Sequence, residues 1–179
     1  MDSIQLDHSA HRASGKRYPL CFLAHDIVTP MNVGSLFRIA DALGVEKIYL
    51  TGRSAVPPNR SIRKTSRAAE KHVPFQIDKE AERVAGALKD AGYRIVSLEI
   101  ASHSTALEDF RVAPDDRICL VLGSESAGVG RNLLAVSDAV IHIPMLGVNS
   151  SMNVAAACAI ATYVITKKLD DGRQKNPLE

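Results

Sequence analysis

The run Ile118-Cys119-Leu120-Val121-Leu122 contains five apolar residues in succession. Successive side chains of a strand point to opposite faces, so a strand with one wet face alternates apolar and polar residues. An unbroken apolar strand must be covered on both sides, which is the mark of a parallel sheet between two layers of helix. PLCFLAH (19–25), EKIYLTG (46–52), YRIVSLEI (93–100), RICLVLG (117–123) and AVIHIPM (139–145) read as strands of this kind. The segments between them carry a helical period. In NVGSLFRIADALG (32–44), Val33, Leu36, Phe37, Ala40 and Leu43 share one face, and Gly44 supplies the stop. DKEAERVAGALKDAG (78–92), RNLLAVSD (131–138) and SSMNVAAACAIATYVITKK (150–168) read as further helices. The alternation predicts an α/β fold, a mostly parallel sheet with helices on both faces. The 179 residues suit one domain, expected over 18–170, with a flexible polar arm at 1–17 and a flexible tail at 171–179.

Composition excludes several function classes. No apolar run approaches the roughly 20 residues of a transmembrane helix. The beginning of the sequence is polar and of mixed charge, unlike a secretory signal. Cys21, Cys119 and Cys158 sit in apolar surroundings without metal-type spacing, as expected of reduced thiols in a cytoplasmic protein. The six histidines form no HxH or HxxxH pair, so no metal is expected. Net charge is only +2, so any contact with nucleic acid must come from local clustering.

One such cluster exists. Between 53 and 71 lie Arg53, Arg60, Arg63, Lys64, Arg67 and Lys71, against the single acid Glu70. A solvated face would account for it, but six cations, partly on a loop bearing Pro57 and Pro58, favour contact with RNA or phosphate. Aromatic partners for stacking are scarce there, with only Phe75 and Tyr49 near in sequence.

Three polar stretches at strand ends hold the candidate chemistry. VLGSESAGVG (121–130) is a glycine-rich turn after a strand, yet it contains Glu125 and no lysine. It has neither a Walker loop's Lys-Ser/Thr nor the dinucleotide glycine spacing. A carboxylate there suits a cation or sugar hydroxyls, and the plainer reading is a turn with an exposed glutamate. In the second stretch, Asn32 is placed to cap a helix on which Gly34, Arg38 and Asp41 share a face. Gly34 leaves room beside Arg38 for something bulky, and the plainer reading pairs Arg38 with Asp41. In the third, IPMLGVNSSMNVAAA, Ser150 or Ser151 is placed to cap the last helix, with Asn153 inside its first turn.

Occurring together and in this order, NVGSLFRIADALGV, LVLGSESAGV and IHIPMLGVNSSMNVAAA resemble the three signature motifs of the SpoU (TrmH-like) RNA ribose methyltransferases of the SPOUT superfamily. The resemblance covers roughly residues 19–168. It implies a C-terminal segment threaded into a deep trefoil knot, an exception to the rule that chains do not knot. It further implies a homodimer, S-adenosylmethionine as cofactor, and methyl transfer to a ribose 2′-hydroxyl of tRNA or rRNA. By motif, the catalytic set falls on Asn32, Arg38, Glu125, Ser151 and Asn153, and cofactor contacts on Leu98, Gly123, Ile143 and Met152. Met152 stands where leucine is commoner, a conservative change that keeps an apolar wall. RNA contacts are expected from Arg53, Arg60, Arg63, Lys64 and Arg67. Arg38 would bind RNA phosphate and stabilise a developing alkoxide. Glu125 would face Arg38, relaying a proton or holding the arginine. The competing readings are a non-catalytic knotted RNA-binding scaffold and an ordinary α/β nucleotide-binding domain. The three motifs count against the first, and the lack of a phosphate loop against the second.

Overall fold

The computed structural model describes Ile4 and residues 12–174. Most of the arm expected at 1–17 therefore lies outside the described residues, as do residues 175–179 of the expected tail. The strands are β1 (Tyr18–His25), β2 (Val45–Thr51), β3 (Phe75–Asp78), β4 (Tyr93–Leu98), β5 (Thr105–Ala106), β6 (Arg117–Leu122) and β7 (Ala139–His142). The helices are α1 (Pro30–Ala42), α2 (Arg60–Ser66), α3 (Ala81–Asp90), α4 (Arg131–Val136) and α5 (Val154–Gln174). The strands form one sheet in the order β3-β2-β1-β6-β4-β7-β5, and every pairing is parallel.

The register explains the unbroken apolar strands. Leu20, Phe22 and Ala24 of β1, with Ile118, Leu120 and Leu122 of β6, face a core completed by Val33, Leu36 and Phe37 of α1 and by Cys158, Ile165 and Leu169 of α5. Cys21 and Leu23, with Cys119 and Val121, face the other core, under Ala81, Val84 and Leu88 of α3 and Leu133 of α4. Each strand still alternates, but both of its faces are dry. Full burial of one such large side chain contributes about 1.5–3 kcal/mol.

Three elements of the described fold do not show in the sequence pattern. Helix α2 begins immediately after the prolines, at Arg60, because the Asn59 side chain accepts hydrogen bonds from the backbone N–H of Ser61 (2.9 Å) and Ile62 (3.2 Å). The strands β3 and β5, four and two residues long, are too short to carry a period. Helix ends also shift. α1 starts at Pro30, a residue suited to a first helical position, so Thr29 is the cap and Asn32 lies inside the helix. α5 starts at Val154 and runs to Gln174, so it takes in residues 171–174 of the expected tail.

Two features of the C-terminal half position the site. β7 lies between β4 and β5, which are consecutive in the chain. Leu98 and Thr105 both stand opposite Ile141, so residues 99–104 cross from one side of β7 to the other. Further along, the Lys168 ammonium donates to the carbonyls of Leu107 (3.2 Å), Glu108 (2.6 Å) and Phe110 (2.7 Å), tying α5 to the segment after β5. No helix among the described residues is long and apolar enough to cross a membrane.

Candidate active site

Parallel α/β sheets bind ligands beyond the carboxyl ends of their strands. Here that edge carries a cleft of about 530 Å³. Leu98 at the end of β4, Gly123 after β6 and Ile143 after β7 line it, together with Met152 before α5. Glu125, Ser151 and Asn153 line the same cleft. The four residues expected to touch a cofactor and three of the five expected to be catalytic thus share one wall system, while Asn32 and Arg38 stand outside the lining.

The glycine turn is closed on itself. Ser124 and Gly128 exchange backbone hydrogen bonds of 3.1 and 2.9 Å. A side chain on Gly123 would overlap the backbone of Gly128 and Val129, and Gly128 has φ +65°. A side chain at Gly128 would overlap the Glu99 carboxylate, which accepts from the N–H of Val129 (2.8 Å) and Ile100 (2.9 Å). At these two positions the chain's own atoms fill the space that glycine vacates. Sequence reasoning misses Glu99, whose only signal is an acid at the end of an apolar strand.

Three distant segments meet at Glu125. Its Oε1 accepts from the Asn32 side-chain amide at 2.9 Å and from the Thr29 backbone N–H at 3.3 Å. Asn32 Oδ1 in turn accepts from Asn153 Nδ2 at 3.0 Å. Asn153 Oδ1 accepts from the N–H of Ala155 (2.9 Å) and Ala156 (3.3 Å), so Asn153 is the cap of α5 and neither serine has that role. Partial desolvation raises the Glu125 pKa, but the hydrogen bonds from Asn32 and Thr29 outweigh it and hold the carboxyl below its ordinary value. A carboxylate so stabilised is a weak base, because an effective general base has a pKa near the working pH.

Arg38 departs from expectation. The hydrogen bonds of Glu125 go to Asn32 and Thr29, and none links it to Arg38. Arg38 is exposed and makes no hydrogen bond or ion pair among the described residues, Asp41 included. The room beside Gly34 is taken by α2, since a side chain there would meet the Ile62 carbonyl oxygen and Thr65 Cβ, each at 2.8 Å. Within the basic segment, Arg53 donates its backbone N–H (2.7 Å) and guanidinium (3.3 Å) to Asp26. Arg60, Arg63, Lys64, Arg67 and Lys71 are exposed and form no ion pair among the described residues. His142 also lines the cleft, and its Nδ1 is buried without a hydrogen-bond partner among the described residues.

An all-parallel sheet with a cleft at its strand ends, closed by side chains from three well-separated segments, defines an α/β ligand-binding domain. The chain belongs to the SpoU rRNA Methylase family, whose model matches residues 19–163. It is 30% identical over 151 residues to YacO of Bacillus subtilis (strain 168), a protein named as a TrmH family tRNA/rRNA methyltransferase. That match covers 84% of this chain and 59% of the relative, so the chain spans well under two thirds of YacO's length. The fold is similar to the SpoU methyltransferase AviRb of Streptomyces viridochromogenes in complex with AdoMet, with a TM-score of 0.74, 26% identity, and coverage of 85% of this chain and 61% of AviRb. It is also similar to a TrmH/SpoU tRNA modifying enzyme of A. aeolicus, with a TM-score of 0.78, 24% identity, and coverage of 87% and 78%.

Proposed function

We propose that this chain is an S-adenosylmethionine-dependent RNA methyltransferase acting on a ribose 2′-hydroxyl of tRNA or rRNA. In the same reading it works as a homodimer whose C-terminal segment is threaded into a trefoil knot. The observation that carries the proposal is the hydrogen-bonded link Glu125–Asn32–Asn153 at the edge of the cleft. One residue comes from each of the three motifs, over a sequence separation of 121 residues between Asn32 and Asn153.

The cleft suits the cofactor on two counts. Its volume of about 530 Å³ lies in the range of small-molecule sites, and Leu98, Ile143 and Met152 give it apolar walls. The buried Nδ1 of His142, which has no hydrogen-bond partner among the described residues, offers a polar contact to a ligand. These residues with Gly123 would hold S-adenosylmethionine, which when bound supplies a methyl group already activated on a positively charged sulfur. Arg38 carries donors and no acceptor, so it grips an RNA phosphate and stabilises charge developing on the ribose oxygen. Asn32 orients the ribose, fixed on one side by Glu125 and on the other by Asn153. Ser151 shapes the substrate side of the cleft. The hydroxyl proton leaves to solvent, and Glu125, whose Oε1 is engaged by Asn32 and Thr29, serves to hold Asn32.

The crossing of residues 99–104 over β7 supports the knot. Exposed Ile160 and Tyr163 on α5, with Val28 before α1 and Met31 in its first turn, support the dimer. To test the activity, unmodified total RNA would be incubated with tritiated S-adenosylmethionine and digested to nucleosides. Label in 2′-O-methylnucleosides is expected; label confined to bases, or none, overturns the reading. Arg38→Lys should lower the single-turnover rate at least tenfold, since lysine lacks the planar fork that grips phosphate. Retention of most of the rate would sink the role given to Arg38.

A further inference from the structure

A second cavity of about 640 Å³ lies beside α2 and shares no lining residue with the cleft at the strand ends. Its walls combine two chemistries. Pro57, Pro58, Ile62 and the half-buried Phe75 give it an apolar side. Arg60, Arg63 and Lys71 give it three cations that form no ion pair among the described residues. The one acid, Glu70, is fixed by a hydrogen bond from the Ser66 hydroxyl. Phe75 is held from behind by Phe37, whose ring centroid lies 5.5 Å away at an interplanar angle of 89°. Phe75 follows Lys71 by a few residues at the start of β3, where pairing with Ile48 of β2 fixes its place at the cavity wall.

We infer that this cavity binds one nucleotide of the substrate RNA outside the reaction centre, its base against Phe75 and Pro58 and its phosphate on Arg60, Arg63 and Lys71. The inference rests on the proposed action on RNA. A flat apolar base needs a stacking surface, and an adjoining phosphate needs donors. A bare phosphate site would not need the Phe75 side, and a purely apolar partner would not suit three unpaired cations. Glu70, already oriented, accepts from an exocyclic amino group or a ribose hydroxyl. Gly34 seats α2 against α1, so the cavity moves with the helix that carries Arg38. A nucleotide held here anchors an RNA whose reacting ribose, further along the strand, enters the cleft.

The test measures fluorescence anisotropy with two probes, a labelled mixed-sequence single-stranded RNA 12-mer and an abasic ribose–phosphate chain of the same length. Phe75→Leu should weaken the 12-mer at least fivefold and leave the abasic chain within twofold. Arg63→Gln with Lys71→Gln should weaken both and reduce the salt slope by about 1.4, two phosphates at roughly 0.7 each. An unchanged 12-mer affinity in folded Phe75→Leu overturns base binding, and unchanged affinities in the double variant overturn the surface as an RNA contact. Against loss of folding in Phe75→Leu, a 12-mer containing 4-thiouridine would be photocrosslinked to the unaltered protein. A crosslink within residues 57–75 is expected, and its absence overturns the proposal. Failure of the unaltered protein to bind the 12-mer, with S-adenosylmethionine binding intact by calorimetry, would instead overturn the action on RNA itself.

Discussion

At the scale of single residues, Asn153 performs two tasks with two atoms. Its oxygen caps α5, and its nitrogen reaches Asn32. Substitutions separate the two. Asn153→Ser keeps a capping oxygen, so its melting temperature should stay close to that of the unaltered protein while single-turnover methylation falls. Asn153→Ala also loses the cap and should be about 1 kcal/mol less stable by urea unfolding. Equal stability losses in both variants would contradict the division. Glu125 makes a pH prediction. Its pKa is held below the ordinary value of 4.5 in the folded chain, so its ionised form favours the native state. That contribution is present above the unfolded value and lost as pH falls through the folded one. The Glu125→Gln variant keeps an acceptor for Asn32 and cannot titrate at this position. The melting-temperature gap between the parent and Glu125→Gln should therefore be widest near neutral pH and narrow as pH falls through the folded value. A gap independent of pH would show that Glu125 contributes nothing through its charge.

At the scale of elements, the contact of α1 with α2 depends on one missing side chain. Gly34→Ala puts a Cβ against the backbone oxygen of Ile62, which cannot rotate away. A loss of about 1–3 kcal/mol in urea unfolding is expected, together with weaker RNA binding as α2 is displaced. Wild-type stability in this variant would mean that α2 shifts freely. The two helices also mark what the sequence makes legible. The strands β1, β2, β4, β6 and β7 and the helix α1 are readable because burial on two faces, or on one stripe, imposes a period or leaves an unbroken run. The helix α2 has seven residues, and its signal is a single cap, Asn59, masked by adjacent prolines. At the site, residues within motifs can be placed by order alone, but their partners cannot. Glu99 bonds Val129 and Glu125 bonds Asn32 across 30 and 93 positions respectively, and no local pattern encodes such pairings. The missing side chains at Gly123 and Gly128 make room for the loop's own backbone and for the Glu99 carboxylate, contacts that the sequence does not show.

At the scale of the whole molecule, the apolar side chains left exposed are informative by position. Ile160 and Tyr163 are 42% and 54% exposed on a helix whose opposite side is fully buried. If two copies pair through this face, Ile160→Glu with Tyr163→Glu should sediment as a monomer at micromolar concentration, where the parent sediments as a dimer. A dimer of unchanged strength would place the interface elsewhere. The bond between Asn153 and Asn32 has a separate consequence, one of timing. A ribosome lays down α1 and the Glu125 turn well before the start of α5, and a growing chain begins to fold before it is finished. The early pieces can assemble most of the sheet, but the amide that steadies Asn32 arrives only with the start of α5. A chain made only as far as β7 would therefore hold α2 in place while lacking that bond, and the link between the three segments would close only once α5 has formed.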